Sequence, residues 1–143
     1  MQGNVILWLM PDCIFCKIVL GEIPSHKVYE DKDFLAFLDI HPLTPGHTLV
    51  IPKNHVRWVW DAPNLGAYWE IAGKIARAQR KAFETDWIAS VVLGNEVPRA
   101  HIWLVPRHDS DGHGGTLNFS LHSSPSGEEL ARNAERIRAA STQ

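Results

Sequence analysis

Cysteine is nearly absent from this chain of 143 residues, and long hydrophobic runs are absent altogether. Cys13 and Cys16 form a single Cys-x-x-Cys pair, which is too little for the disulfide scaffold of a small secreted domain. The longest early apolar run, residues 5–10, has no basic region before it and falls far short of the roughly 20 residues that span a bilayer. We therefore expect a cytoplasmic protein in which residues 5–10 form an added strand or a packed N-terminal arm.

An excess of charge of either sign is also lacking. The formal net charge is −2 at pH 7, with 21% charged and 45% hydrophobic residues, which is typical of a globular protein. Such a surface has no general attraction for nucleic acid or for anionic lipid, so we expect neither a nucleic-acid partner nor a membrane partner. An anionic ligand would have to meet a local cluster of cations.

The periodicity of apolar residues predicts one α+β domain over residues 1–143. Helical spacing within residues 61–84 predicts the main helix. A short helix is predicted between Asp12, which would cap it, and Gly21, which would end it. Strands are predicted at residues 27–29, 34–38, 47–51, 87–93 and 100–105, followed by a loop at 108–125 and a terminal helix at 126–140. Strands grouped around one long helix favour an antiparallel sheet.

The predicted last strand brings three chemically active side chains to one face. Side chains alternate along a strand, so Arg99, His101 and Trp103 point the same way. Arginine can pair with phosphate oxygens, histidine can attack or donate a proton, and tryptophan can stack, which together suit a phosphate ester. The plainer interpretation makes His101 a hydrogen-bonded strand residue, Arg99 a solvated charge and Trp103 part of the core. Spacing alone favours this second interpretation.

Longer blocks of sequence resemble the histidine triad (HIT) family. The blocks are CIFCKI at 13–18, EIP at 22–24, VYED at 28–31, LAFLDI at 35–40, PGHTLVIPKNH at 45–55 and EVPRAHIWLVPR at 96–107. The last of them overlies the family signature, in which three histidines alternate with apolar residues. The resemblance implies an α+β meander fold, a homodimer, and hydrolysis or transfer of a nucleoside monophosphate. The donor would be a phosphoramidate, a dinucleoside polyphosphate or a similar nucleotide conjugate.

By this resemblance His101 is the nucleophile, which would form a nucleotidyl-histidine intermediate. Arg99 and Trp103 stand where the family has its other two triad histidines. Arg99 retains a positive donor for phosphate, whereas Trp103 offers one indole N–H and more bulk. Binding of a purine nucleotide is therefore expected to survive better than turnover. The alternative is a catalytically weak or inactive module that binds a nucleotide or another protein.

The resemblance also assigns binding residues around the nucleotide. Asp39 corresponds to the residue that binds the ribose hydroxyls, and His47 to a fourth family histidine near the nucleophile. Taken alone, Asp39 would be a turn residue and His47 a residue satisfied by the backbone. Glu96 is a further site candidate whose charge Arg99 would offset. The expected purine pocket consists of Ile14, Phe15, Ile18, Leu38 and Ile40.

A metal site is the last expectation, since some bacterial HIT proteins with a Cys-x-x-Cys pair bind zinc. The corresponding ligands here are Cys13, Cys16 and His55, but Arg99 stands at the fourth position. A guanidinium cannot bind zinc, so the site is three-coordinate with water, completed elsewhere, or empty. We expect no required cofactor, with zinc considered only as a structural ion. An interaction domain held by a zinc clip is a third interpretation of the chain.

Overall fold

The structure is a computed structural model that describes residues 13–141. Its helices are α1 (Ile14–Val19), α2 (Leu65–Phe83) and α3 (Gly127–Ser141), with a short 3-10 helix at Val59–Asp61. Its strands are β1 (Lys27–Glu30), β2 (Phe34–Leu38), β3 (Thr48–Pro52), β4 (Ile88–Val91) and β5 (Ile102–Pro106). Every predicted element within the described residues is present, with ends that differ by a few residues. The predicted arm at residues 5–10 and the Asp12 cap lie outside this range.

The five strands form one antiparallel sheet in the order β1-β2-β3-β5-β4. The first three strands pair in chain order. Helix α2 then carries the chain to the sheet edge, where β4 lies, and β5 returns between β4 and β3. This pairing sets Leu49 opposite Trp103 and Val50 opposite Ile102. The expected α+β fold with an antiparallel sheet is confirmed.

Helices α2 and α3 cover one face of the sheet. Tyr68 is fully buried in this main core, and its hydroxyl donates to the Val50 carbonyl at 2.7 Å. The amide nitrogen of Gln79 donates to the carbonyls of Gly46 and Leu104 at 2.9 and 3.0 Å. Buried polar groups need such partners, so α2 is fixed against β3 and β5 by hydrogen bonds as well as by apolar packing.

Helix α1 packs on the opposite face of the sheet. Its residues Phe15 and Ile18 form a second buried cluster with side chains from β2 and β3, among them Phe37 and Leu49. Cys13 precedes the helix as its N-cap, and its Sγ accepts a hydrogen bond from the Cys16 N–H at 3.2 Å. Gly21 follows the helix with a φ of +79°, a conformation that glycine adopts without strain. Both cysteines are therefore held by a helix anchored to the sheet.

None of the helices within residues 13–141 has the length and apolar character needed to cross a membrane.

Candidate active site

His101 lies just before β5, on the face of the sheet that α1 covers. Its Nδ1 is 2.6 Å from the Arg99 carbonyl oxygen, and its ring meets Phe15 edge-on at 5.5 Å between centroids. Because a carbonyl oxygen only accepts, Nδ1 carries the ring proton and Nε2 carries the lone pair. Burial lowers the pKa of His101, with the carbonyl contact opposing the shift and the Arg99 charge adding to it. The ring is therefore neutral at neutral pH.

His47 has the opposite tautomer. The Leu43 N–H donates to His47 Nδ1 at 3.1 Å, so the proton is on Nε2. That buried Nε2–H has no hydrogen-bond partner among the described residues, and the nearest carboxylate oxygen, Oδ2 of Asp39, is 3.9 Å away. Burial lowers the pKa of His47 to about 4, although the Asp39 charge opposes the shift. An unused donor is thus held beside Asp39.

Trp103 lies among the aromatic rings that surround these histidines. Its ring is 4.9 Å from His47, 6.5 Å from His101 and 5.4 Å from Phe119, measured between centroids. Phe119 comes from the long polar loop and is about half exposed. Phe119 was not among the residues predicted for the site. Its only signal was a brief apolar island at residues 117–119 within that loop.

The same loop returns to the segment that follows β2. The Ser123 N–H donates to the Pro42 carbonyl at 3.0 Å, and the Ser124 hydroxyl lies 3.3 Å from Nδ1 of His41. Oδ1 of Asp39 accepts from the His41 N–H at 2.8 Å. Asp39 therefore sits in the turn that sequence reasoning also allowed, and its other oxygen is directed toward His47.

The expected purine-binding residues do not all lie together. Phe15 and Ile18 share the buried cluster beside His101, whereas Leu38 points into the main core on the opposite face. Ile14 and Ile40 are each more than half exposed. Leu38 alternates with Phe37 along β2, and this alternation separates it from Phe15 and Ile18.

A second group of reactive side chains joins α1 to the segment after β3. The ligand atoms of Cys13, Cys16 and His55 lie within 4.8 Å of one another, and Cys16 Sγ is 3.2 Å from Nδ1 of His55. Burial raises the pKa of the Cys13 thiol, an effect that the Arg99 charge opposes. Burial and the same charge lower the pKa of His55, which keeps its ring neutral.

Arg99 lies against this cluster and is fully buried. Its Nη2 donates to the Lys53 carbonyl at 3.1 Å, while Nε and Nη1 find no acceptor among the described residues. The plainer interpretation of Arg99 as a solvated charge is therefore wrong. A pocket of about 480 Å³ opens beside the cluster, and Arg99, Cys13, His55 and the exposed Glu96 line it.

Comparison with known proteins decides the family. The HIT domain model matches residues 20–110. The chain belongs to the HIT family. It is 45% identical over 111 residues to Protein hit of Bacillus subtilis, which covers 72% of this chain and 77% of the relative.

Two further proteins are similar to this chain. Adenosine 5'-monophosphoramidase HNT1 of Saccharomyces cerevisiae is 41% identical over 68% of this chain and 63% of its own length. A zinc-bound histidine triad family protein from Mycobacterium smegmatis superposes with a TM-score of 0.78 at 34% identity, covering 92% of this chain and 94% of that one. The HIT family comprises nucleotide-binding hydrolases and transferases, so the expected coarse function is supported.

The cysteine–histidine cluster of this HIT protein fits zinc only in part. Two thiolates and one imidazole are ligands that zinc prefers, but a tetrahedral structural site needs a fourth. Arg99 carries no lone pair and cannot supply it. Cys13, Cys16 and His55 would hold the ion, which would tie α1 to the segment after β3.

The structure thus divides the predicted site of this HIT chain into two groups. His101, His47, Asp39 and Trp103 are linked by short distances around one end of β5, with Phe15 packed on His101. Arg99, Glu96 and Ile14 line the pocket beside the cysteines instead. The alternation of β5 continues back before the strand, since Ala100 and Ile102 lie in the main core while His101 and Trp103 lie on the α1 side. Alternation assigns side chains to a face of the sheet and does not tell which of them lie together on that face.

Proposed function

We propose that this HIT protein is a nucleotidyl hydrolase or transferase that works through a nucleotidyl-histidine at His101. The observation that carries the proposal is the 2.6 Å contact between His101 Nδ1 and the Arg99 carbonyl. This contact leaves the Nε2 lone pair free for attack on phosphorus, as covalent catalysis requires. The name of the yeast relative, a monophosphoramidase of adenosine, supports a nucleoside monophosphate conjugate as the substrate class.

In the first step, Nε2 of His101 attacks the α-phosphorus of the donor. The phosphorus–nitrogen bond forms as the bond to the leaving group breaks, and the leaving group keeps that electron pair. The ring becomes positively charged, and the Nδ1–H bond to the Arg99 carbonyl stabilises this charge. In the second step, water attacks the phosphorus of the nucleotidyl-histidine, and the phosphorus–nitrogen bond breaks with its electron pair returning to Nε2 of His101. The nucleoside monophosphate is released and the proton of the water passes to solvent. Another acceptor in place of water carries the nucleotidyl group away as its ester.

The neighbouring side chains bind and orient the nucleotide in this proposal. Asp39 accepts hydrogen bonds from the ribose hydroxyls, and Phe15 and Ile18 contact the purine. The unpartnered Nε2–H of His47 donates to a phosphate oxygen. A preorganised donor of this kind stabilises the charge that develops on the phosphoryl group.

Trp103 determines which leaving groups can depart, because some of them need a proton. An indole N–H donates a hydrogen bond but does not transfer its proton at neutral pH, so Trp103 cannot protonate a departing amine. A polyphosphate needs no such proton. We therefore expect dinucleoside polyphosphates to be better substrates than phosphoramidates.

A catalytically weak nucleotide-binding or interaction module is the second candidate. It is favoured by Trp103, which fills the third triad position and packs between His47 and Phe119. Incubation of the wild type and of His101→Ala with adenosine 5′-phosphoramidate and with a diadenosine polyphosphate separates the two candidates. Product from the wild type alone supports the enzyme, and equal product from both proteins rules it out. Nucleotide binding without turnover supports the module.

The expected homodimer and cytoplasmic location also belong to this proposal. Strand β4 lies at the sheet edge and pairs with β5 on one side, with no strand on the other side among the described residues. Leu93 and Trp60 are large exposed apolar side chains in the segments that flank β4 and α2. An uncovered edge and exposed apolar groups suit contact with a second copy. A cytoplasmic location would keep Cys13 and Cys16 as free thiols, as they are in the structure.

A further inference from the structure

We infer that Phe119 is a specificity residue of the proposed enzyme, and that it favours donors whose leaving group carries a planar aromatic group. The inference rests on the function proposed for His101 and extends it to the part of the donor that departs. Phe119 lies beyond residues 20–110, which the HIT domain model matches. It therefore belongs to a part of this chain that the domain model does not describe.

The loop that carries this ring is fixed to the rest of the fold by buried contacts. Nε of Arg107 donates to Oδ2 of Asp111 at 2.6 Å, and both side chains are buried. The buried His113 accepts from the Asn118 N–H at 3.0 Å through Nδ1 and donates to the Leu43 carbonyl at 2.9 Å through Nε2. The fold thus sets the position of the ring before a donor binds, which lowers the entropic cost of binding.

Phe119 and Trp103 form a corner of two aromatic rings close to the nucleophile. Their centroids are 5.4 Å apart, and their planes meet at 73°. Phe119 is 48% exposed and Trp103 is partly exposed, whereas the Phe15 ring that meets His101 is buried. A planar group can stack on one ring of such a corner and meet the other edge-on, and both are favourable aromatic geometries.

The departing part of the donor is the part that reaches this corner. In the proposed reaction, Asp39, Phe15 and Ile18 hold the nucleoside that remains on the enzyme. Trp103 stands beside the leaving group, and Phe119 packs against the Trp103 ring. A group attached to the end of the leaving group therefore meets Phe119, while the retained nucleoside does not.

The ring–ring geometry separates aromatic from aliphatic leaving groups. Groups of either kind bury apolar surface against Phe119, but only an aromatic group gains the additional interaction between rings. That interaction typically corresponds to about 2- to 10-fold in affinity. The preference is therefore for aromatic character and not for apolar surface in general.

Two esters of adenosine 5′-triphosphate test the inference on the full chain. One carries a phenyl group and the other a cyclohexyl group on the γ-phosphate, so their leaving groups differ only in the ring. In both, the bond from the α-phosphorus to the bridging oxygen breaks, and the diphosphate ester leaves with that electron pair. We expect kcat/KM for the phenyl ester to exceed that for the cyclohexyl ester by about 2- to 10-fold.

Three variants show whether Phe119 causes this ratio. Phe119→Leu keeps an apolar side chain without the aromatic face, so the ratio falls to about one. Phe119→Tyr keeps the face and therefore the ratio. Leu121→Ala removes another exposed apolar side chain from the same loop and also keeps the ratio. Weaker binding of adenosine 5′-monophosphate by Phe119→Leu would overturn the inference, because the ring would then contact the retained nucleotide.

Failure of the inference is distinguishable from failure of the proposed function. Equal kcat/KM for the two esters, or a ratio that Phe119→Leu leaves unchanged, overturns the inference and leaves the reaction at His101 standing. Absence of turnover with either ester overturns the proposed function instead. The α,β-methylene forms of both esters, which cannot be cleaved, then give the same ratio as affinities, and equal affinities overturn the inference.

Discussion

His101 and His47 carry their ring protons on different nitrogens because one ring faces a carbonyl and the other faces a backbone N–H. The first arrangement leaves a lone pair on Nε2, and the second leaves a donor there. Both rings are buried and neutral, with lowered pKa values. In the proposed function, His101 would use its lone pair to attack the phosphorus and His47 would use its N–H to bind a phosphate oxygen.

The pH dependence of turnover follows from His101. Only the neutral ring has the lone pair that attacks phosphorus, and its pKa lies below the ordinary value of 6.5. The rate of nucleotidyl-histidine formation is therefore expected to fall at low pH with a midpoint below 6.5. Rapid-mixing measurement of the covalent intermediate between pH 4 and pH 8 checks this. A midpoint at or above pH 6.5 would contradict it.

His47 makes the stability of the fold dependent on pH. Its pKa is about 4 in the folded chain against 6.5 when unfolded, so the unfolded chain binds more protons between these values. Its contribution is complete above pH 6.5 and is lost as the pH falls toward 4. At about 1.4 kcal/mol per pKa unit the loss amounts to roughly 3 kcal/mol.

Denaturant unfolding at several pH values measures this effect. His47→Asn is the matched variant, because its side-chain oxygen can still accept from the Leu43 N–H and does not titrate in this range. We expect the free energy of unfolding of the variant to depend less steeply on pH between 6.5 and 4. If the free energy of unfolding depends on pH equally in both proteins, His47 is not the cause of that dependence.

Trp103 is the residue whose replacement should gain activity. Trp103→His restores a group that can donate a proton to a leaving amine, and one such transition-state interaction is typically worth about 10²- to 10³-fold in rate. Phosphoramidate turnover should rise toward that range, whereas turnover of dinucleoside polyphosphates should change much less. Steady-state kinetics of the wild type and Trp103→His on both substrates measure this difference. The double variant Trp103→His/His101→Ala is the inactive control.

At the scale of elements, α2 depends on one polar side chain for its position. Gln79 Nε2 is 2.9 to 3.2 Å from the Gly46 carbonyl, the Thr48 hydroxyl and the Leu104 carbonyl, which belong to β3, β5 and the turn before β3. Gln79→Met keeps most of the volume but removes the Nε2 donor from these buried acceptors, of which the Gly46 carbonyl keeps its hydrogen bond from the Thr48 hydroxyl. We expect a loss of about 2–3 kcal/mol in the free energy of unfolding.

Chemical denaturation of Gln79→Met checks this value. Arg77→Met, an exposed change on the same helix, serves as the control and should stay within about 0.5 kcal/mol of the wild type. Equal stability of all three proteins would show that apolar packing alone positions α2.

The elements themselves were predictable from the sequence because they follow strict periods. The helical spacing of α2 and the alternation in β5, which points Ile102 and Leu104 into the main core, both appear in the chain order. Site residues were predictable only where they follow the helical or strand spacing, or where they fall in the sequence blocks that resemble the HIT family. The burial of Arg99 was not predictable from the sequence, because Arg99 is held by a contact with the Lys53 carbonyl, 46 positions earlier in the chain.

At the scale of the whole molecule, helices cover both faces of the sheet but leave the β4 edge open within the described residues. We expect a homodimer that uses this edge, with twice the 16.1 kDa mass of one chain. Leu93→Lys introduces charge next to the edge and should give a monomer in light-scattering measurements. Leu121→Lys changes an equally exposed leucine of the long loop and should remain dimeric. A wild type that is monomeric at micromolar concentration would exclude the dimer.

Phe15 stands in the chain between Cys13 and Cys16, and its ring rests on His101. A single helical turn therefore belongs both to the cysteine–histidine cluster and to the surroundings of His101. An event at the sulfurs that displaces this turn would also displace the Phe15 ring against His101. The proposed nucleotide site would then be coupled to the cluster through one shared piece of backbone, with no relay of side chains between them.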